Sequence, residues 1–424
     1  MADILTLRCV VCHRDFEPAE VTYTCPECGE VGTLDVLYDY RKLATQVDRD
    51  RLSQQRETSI WRYRDLLPIQ PEDRVPPISF SVGCTPLYDV PRIAEEFGLA
   101  KVWLKDDGRN PTGSLKDRAS SLVVARAMAM GYPVVSTAST GNAAAALAGI
   151  AASVPEIDVI IFVPATAPEA KIAQLLVYGA EVVLIEDTYD VAFDICMQLC
   201  HEEGWYCRNT GVNPFTTEGK KTVSFEIAEE LAWQVPDAIL VSVGDGNIIS
   251  GVYKGFFDLY ELGWIERIPR IIGVQASGSA ALASAWQQGI SGVEIMTINA
   301  HTIADSISAG LPRDRVKALR AVTATGGAYV TVSDEEIIAA IPELAQRSGV
   351  FAEPAAAATF AGLRSAVELN ILNEEERVLL LLTGNGLKDV KRAQQSVQGG
   401  IRVSPELDAI RAHLRASATR RSVL

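Results

Sequence analysis

Short apolar runs recur along the chain from about residue 100 onward, and they constrain the fold more than any other feature. They are VWL (102–104), PVVST (133–137), DVIIFV (158–163), EVVLI (181–185), AILVSV (238–243), RIIGV (270–274) and VLLLL (378–382). Each reads as a continuous run, not as an alternation of apolar and polar residues. A strand with one wet face alternates with a period of two, so continuous runs predict strands covered on both faces. Helical stretches such as KIAQLLVYG and FEIAEELAWQ lie between them. This strand–helix rhythm predicts an α/β chain with parallel sheets covered by helices. At 424 residues, two or more packed units are expected.

Composition narrows the partners. Apolar residues make up 48% and charged residues 22%, as in an ordinary globular protein. A net charge of -15 argues against nucleic acid or an anionic membrane as the main partner. An anionic substrate therefore needs a local pocket of cations or free N–H groups. No uncharged apolar run reaches the ~18 residues of a membrane span. MADILTLRC has no basic stretch before an apolar core, so no signal peptide is expected. With 8 cysteines and no export signal, a reducing cytoplasm is the expected setting. The polar segment RKLATQVDRDRLSQQRE is predicted helical and packed on the outside. Residues 401–424 are predicted to be a helical tail, with Ser404 as N-cap and Pro405 as first helical residue.

Chemistry is concentrated where strands run into helices, because backbone N–H groups are free there. The turn NPTGSLKDRA (110–119) precedes the apolar helix SSLVVARAMAM and places Lys116 at the seam. A helix N-terminus already carries partial positive charge, so this amine is electrostatically misplaced unless it has a use. STGNAAAALAG (139–149) follows PVVST, with small residues that let backbone wrap an anion and with Asn142 as a side-chain donor. VGDGNIISG (243–251) is a glycine-rich turn opening a helix, but neither a dinucleotide fingerprint nor a Walker loop. LLTGNGLKD (381–389) follows VLLLL. Taken singly, each is simply a tight turn. Together they supply an amine, an amide donor, a phosphate cradle and a hydroxyl, which are the parts pyridoxal 5'-phosphate requires.

These pieces, with GCTPL (83–87), EGKKT (218–222), IADSISAG (303–310) and FAEPAAAA (351–358), resemble the tryptophan-synthase-β-like (fold type II) pyridoxal phosphate enzymes. Among those, the chain is most similar to the threonine synthases. The resemblance implies two open, twisted parallel-sheet domains: a large cofactor-binding domain (41–115 and 190–400) and a smaller inserted one (116–189). It implies a homodimer and a small amino-acid substrate carrying a phosphate. It makes Lys116 the lysine that joins the cofactor aldehyde. Asn142 then bonds the phenolic oxygen, Gly244, Asp245, Gly246, Asn247 and Ile248 cradle the phosphate, and Thr383 faces the ring nitrogen. Ser139, Thr140 and Gly141 would hold the substrate carboxylate. The implied reaction turns O-phospho-L-homoserine and water into L-threonine and phosphate, with Lys116 removing a Cα and then a Cβ proton. Two departures stand out. The cofactor loop reads GDGNI where the family commonly has GNAGN, so Asp245 contributes only its backbone N–H. The family's NPxRxEGQKT, whose arginine helps bind substrate phosphate, is here NPFTTEGKKT with Thr216 at that position. Arg208, Lys220 or Lys221 is the candidate replacement, Arg208 and Lys221 being taken with the substrate site. A serine/threonine dehydratase, or a β-replacement enzyme such as cysteate synthase, stays open as the alternative.

The first 40 residues carry Cys9, Cys12, Cys25 and Cys28 in a C-x2-C-x12-C-x2-C pattern. Two such knuckles are a strong zinc-ribbon signal. Four thiolates close a tetrahedral site, so the zinc would be structural. His13 reads as a surface residue. Cys84, Cys196, Cys200 and Cys207 lack ligand spacing, and Cys196 and Cys200 share a helix face as core thiols.

Overall fold

The computed structural model describes residues 4–421 apart from Ser53 and Pro168; residues 1–3 of the cysteine-bearing module and 422–424 of the tail lie outside the described residues. Strands β1 (Ile4–Cys9), β2 (Asp15–Phe16) and β3 (Leu34–Tyr38) form a small antiparallel sheet in the order β2-β1-β3. The chain then lays down β4 (Leu87–Asp89), β5 (Lys101–Asp106), β6 (Val134–Ala138), β7 (Asp158–Pro164), β8 (Glu181–Ile185) and β9 (Tyr206–Cys207). It closes with β10 (Ala238–Ser242), β11 (Arg270–Ala276), β12 (Ala328–Val332) and β13 (Arg377–Leu382).

The larger sheet runs β12-β11-β10-β13-β5-β4 and is parallel except for the β4–β5 pair. The smaller runs β8-β7-β6-β9 and is parallel throughout. Every apolar run named from the sequence became a strand. In the large sheet, both faces are buried as expected. Leu240 and Leu380 point into one core cluster, while Ile239, Val241, Leu379 and Leu381 point into the other. EVVLI is the exception. β8 is an edge strand, and Leu184 on it is exposed.

The smaller unit also reaches further than the expected boundary at 189. Helix Tyr189–Glu202 contacts β6 and β7, and β9 pairs with β6. A two-residue strand gives no periodic signal, so the sequence placed this segment with the large domain. The segment 41–57 is not one helix but two short ones, Tyr40–Ala44 and Arg49–Leu52. The tail helix starts at Leu407 rather than Pro405.

In the large sheet the connections from β10 lead outward to β11 and β12, while β13 and β5 lie on its other side. A crevice opens where the strand order reverses in this way, just beyond the carboxyl ends of the strands. The turns after β5, β10 and β13 all leave from that end, and the turn after β6 faces them from the smaller sheet.

Candidate active site

The turn that presents Lys116 is fixed by polar bonds within its own motif. Asn110 Oδ1 accepts the Gly83 N–H at 2.9 Å, and Asn110 Nδ2 donates to Asp107 O at 3.0 Å. Gly113 takes φ +82°, a conformation that suits glycine. Asp117 accepts the Thr112 N–H at 2.7 Å and also the Thr112 hydroxyl. Arg118 is fully buried and grips Asp107 and Glu226, with N···O distances between 2.5 and 2.9 Å. The turn after β13 is zipped to the same segment: Leu115 N–H donates to Thr383 O and Asn385 N–H to Gly113 O, both at 3.0 Å. Lys116 and Thr383 are therefore held beside each other by backbone.

They face a cavity of about 610 Å³. Its walls include Lys116, Ser139, Thr140, Gly141, Asn142, Gly244, Asp245, Gly246, Asn247, Ile248 and Thr383, residues the sequence placed in separate motifs. The glycine turn is tightly seated. A Cβ on Gly244 would lie 2.8 Å from Ile307 Cα, and Gly246 sits at φ +89° with Asn247 beginning the following helix. The Ser242 hydroxyl, buried at the end of β10, lines this cavity and has no hydrogen-bond partner among the described residues. An N-terminal helix turn, a neighbouring amine and an unpaired hydroxyl form a donor set that fits a phosphorylated aldehyde cofactor.

Electrostatics in the cavity are unusual. Burial, reinforced by the Arg208 charge, pushes the Lys116 ammonium down from 10.5 to about 8, against the opposing pull of Glu353 and Asp245. Burial also raises the Asp245 carboxyl. Asn142 Nδ2 donates to both carboxylate oxygens of Glu353, at 2.9 and 3.0 Å.

A family model described as pyridoxal-phosphate dependent enzyme matches residues 78–384. The threonine synthase of Methanocaldococcus jannaschii is 37% identical over 404 residues, covering 95% of this chain and 98% of the relative. That of Methanosarcina acetivorans is 38% identical over 408 residues, covering 96% and 97%. The chain belongs to the pyridoxal-phosphate-dependent enzymes, among the threonine synthases. A processed threonine deaminase isoform 2 from Solanum lycopersicum superposes with TM-score 0.64 at 21% identity, over 83% of this chain and 89% of that one, which supports the fold.

Against this threonine synthase background, two expected substrate residues do not line the cavity. Lys221 points away, pairing with Glu218 at 2.6 Å and Asp258 at 2.7 Å beneath the N-terminal sheet. The helix ends at Lys220 and Lys221 lies in the turn before the next helix, so the adjacent lysines face different directions, and sequence alone could not say which turned inward. Arg208 is wholly buried behind the wall, bonded to Ser120 Oγ at 3.2 Å and Thr210 Oγ1 at 2.7 Å. It acts on Lys116 only through its field. Thr216 is buried and donates to Asn213 O at 2.8 Å. Lys220, by contrast, does line the cavity. Among the wall residues that carried no predicted role are Glu353 and Arg313. Glu353 lies in the quoted FAEPAAAA, immediately before a proline at the first helical position, and Arg313 lies in a loop with no signal.

Proposed function

We propose that the chain converts O-phospho-L-homoserine and water to L-threonine and phosphate, in keeping with its threonine synthase relatives. The observation that carries this reading is the half-buried amine of Lys116, facing the 244–248 turn across one cavity. When bound, pyridoxal phosphate supplies an aldehyde that captures the amino acid and a ring that draws electron density from it. Lys116 would hold it covalently, the turn its phosphate, Asn142 its phenolic oxygen and Thr383 its ring nitrogen. A hydroxyl at the ring nitrogen brings no charge and so tempers how far electrons are withdrawn.

Lys116 Nζ would be the base that takes the substrate Cα proton and, after handing that proton on, a Cβ proton. With its ammonium at about 8, Lys116 is neutral in roughly one molecule in ten at pH 7, far more often than an ordinary lysine, as a base of this kind needs. The substrate carboxylate is held at 139–141. Ser139 N–H already donates to Phe162 O and Gly141 N–H to Ser139 Oγ, both at 3.2 Å, so Thr140 is the freest donor there. Phosphate and threonine released from O-phospho-L-homoserine, measured beside 2-oxobutyrate or pyruvate released from threonine or serine, test the assignment. Oxo-acid formation without phosphate release would replace it with the dehydratase reading.

The N-terminal sheet we read as a zinc ribbon. The thiols of Cys9, Cys12, Cys25 and Cys28 lie within 4.8 Å of one another. Val11 N–H points at Cys9 Sγ at 3.4 Å, and Gly32 packs so closely that a Cβ would lie 2.6 Å from Cys28 Cβ. Four thiolates at this separation suit a structural zinc ion. A homodimer in the cytoplasm completes the reading. The free thiols of Cys196, Cys200 and Cys207 are consistent with a reducing setting, and among the described residues no helix is long and apolar enough to cross a membrane.

A further inference from the structure

A phosphorylated amino acid brings a dianion into the cavity, and the family's arginine for it is absent at Thr216. Helix Phe215–Lys220 places Thr216 and Lys220 four residues apart, hence on one face. Thr216 does not line the cavity, whereas Lys220 does. Its side chain is fully buried, yet among the described residues no carboxylate lies within ion-pair distance of its ammonium. The hydrogen bond it makes goes to Asn247 Oδ1, an uncharged acceptor at the mouth of the glycine turn. Asn247 is itself oriented by donating to Thr217 Oγ1 at 2.9 Å and to Asp314. Gly251 allows this approach, since a Cβ there would lie 2.8 Å from Lys220 Cβ.

A buried lysine without a counter-ion either sheds its charge or keeps it at a cost of several kcal/mol, so such a position suits an arriving anion that restores the charge. The other charged candidates are engaged or withdrawn. Arg313 pairs with Glu30 at 2.7 Å and lies over the Phe193 ring, and Arg208 does not reach the cavity. The glycine turn offers neutral N–H donors at a helix end, which suit a resident phosphate; a phosphate that must enter and leave calls for a charge of its own.

We propose that Lys220 is the residue that binds the phosphate monoester of the substrate, taking over, one helical turn along, the charge that Thr216 lacks. The proposal rests on the threonine synthase reading. Lys220 lies among Lys116, Arg208, Asp314 and Asp245, and burial together with the first two holds its ammonium well below the usual lysine range. An arriving dianion therefore favours its protonated form.

The test is K220Q, which installs the family's own residue, and the double variant K220Q/T216R, which restores the family's arrangement. In K220Q, KM for O-phospho-L-homoserine and the inhibition constant of inorganic phosphate both rise about ten-fold or more, as expected for loss of one charged hydrogen bond. Pyridoxal phosphate affinity of the cofactor-free protein stays within about two-fold, and T216R brings the phosphate terms back. Unchanged KM and phosphate inhibition overturn the proposal. So does a loss of cofactor affinity at unchanged KM, which would assign Lys220 to the cofactor's phosphate. A parallel loss of thermal stability and all affinities that T216R does not rescue assigns a structural role and also overturns it. Should K220Q not fold, calorimetry of inorganic phosphate binding to the wild-type holoenzyme at pH 8, in buffers of different ionisation enthalpy, decides. Proton uptake supports the proposal and its absence refutes it. Failure of the functional reading looks different, since the wild type would then release no phosphate.

Discussion

Lys116 occupies the first position of its helix, where a cation is disfavoured, and the surrounding atoms deny its charge the solvent that would compensate. Its ammonium, at about 8 when folded and 10.5 otherwise, binds a proton more weakly in the native chain. Across that window the unfolded state holds more protons, so cofactor-free protein gains stability as pH rises from about 8 toward 10.5. Denaturation midpoints against pH should show this slope, and Lys116→Met should flatten it. With cofactor, Lys116→Ala is expected to lower turnover by about 10³-fold or more and to abolish borohydride labelling of the 116 peptide. Gly246→Ala tests the turn. A side chain at φ +89°, 2.7 Å from Ala318 Cβ, should cost about 1–3 kcal/mol and weaken cofactor binding, read by titration of the cofactor-free protein.

Among elements, the turn of 107–118 depends on a charge cluster that is buried except at Glu230. Arg118 bridges Asp107 and Glu226, and Lys105 adds contacts to Glu226 at 3.0 Å and Glu230 at 2.9 Å. Removing Arg118 strands Asp107 and part of Glu226 without solvent. Arg118→Met is expected to destabilise the protein by about 3–5 kcal/mol, measured by denaturant unfolding, and to displace Lys116 from Thr383. The motif KDR is thus legible as a unit: the lysine faces the cavity while aspartate and arginine anchor the turn that carries it. The sequence showed the motif but not its partners, because Glu226 is more than a hundred residues away.

For the whole molecule, the cysteine-bearing module is joined to the enzyme body by buried and half-buried polar contacts. Tyr38 donates to Glu218, Tyr40 to Asp258 at 2.6 Å, and Arg320 pairs with Asp35 at 2.6 Å. Lys221 supports that junction and not the substrate. Glu30, beside the cysteine knuckle, reaches the cavity-wall Arg313. One zinc per chain is expected by elemental analysis, and Cys25→Ser or a strong chelator should lower the melting temperature before cofactor absorbance is lost. Full activity and unchanged melting after metal removal would contradict a structural metal.

The sequence by itself determined the strands that carry unbroken apolar runs, since such runs are best satisfied where both faces are covered. It also determined the residues at the strand ends, because turn chemistry and an out-of-place amine are local properties. Edge position, short pairings such as β9, and the side of a helix on which a lysine emerges are set by packing between distant segments. Lys220 and Lys221 are neighbours in sequence, but the break between two helices at Lys221 leaves one facing the cavity and the other Asp258. Only the tertiary structure could separate them, because which of the two charges meets an anion depends on what lies across from it.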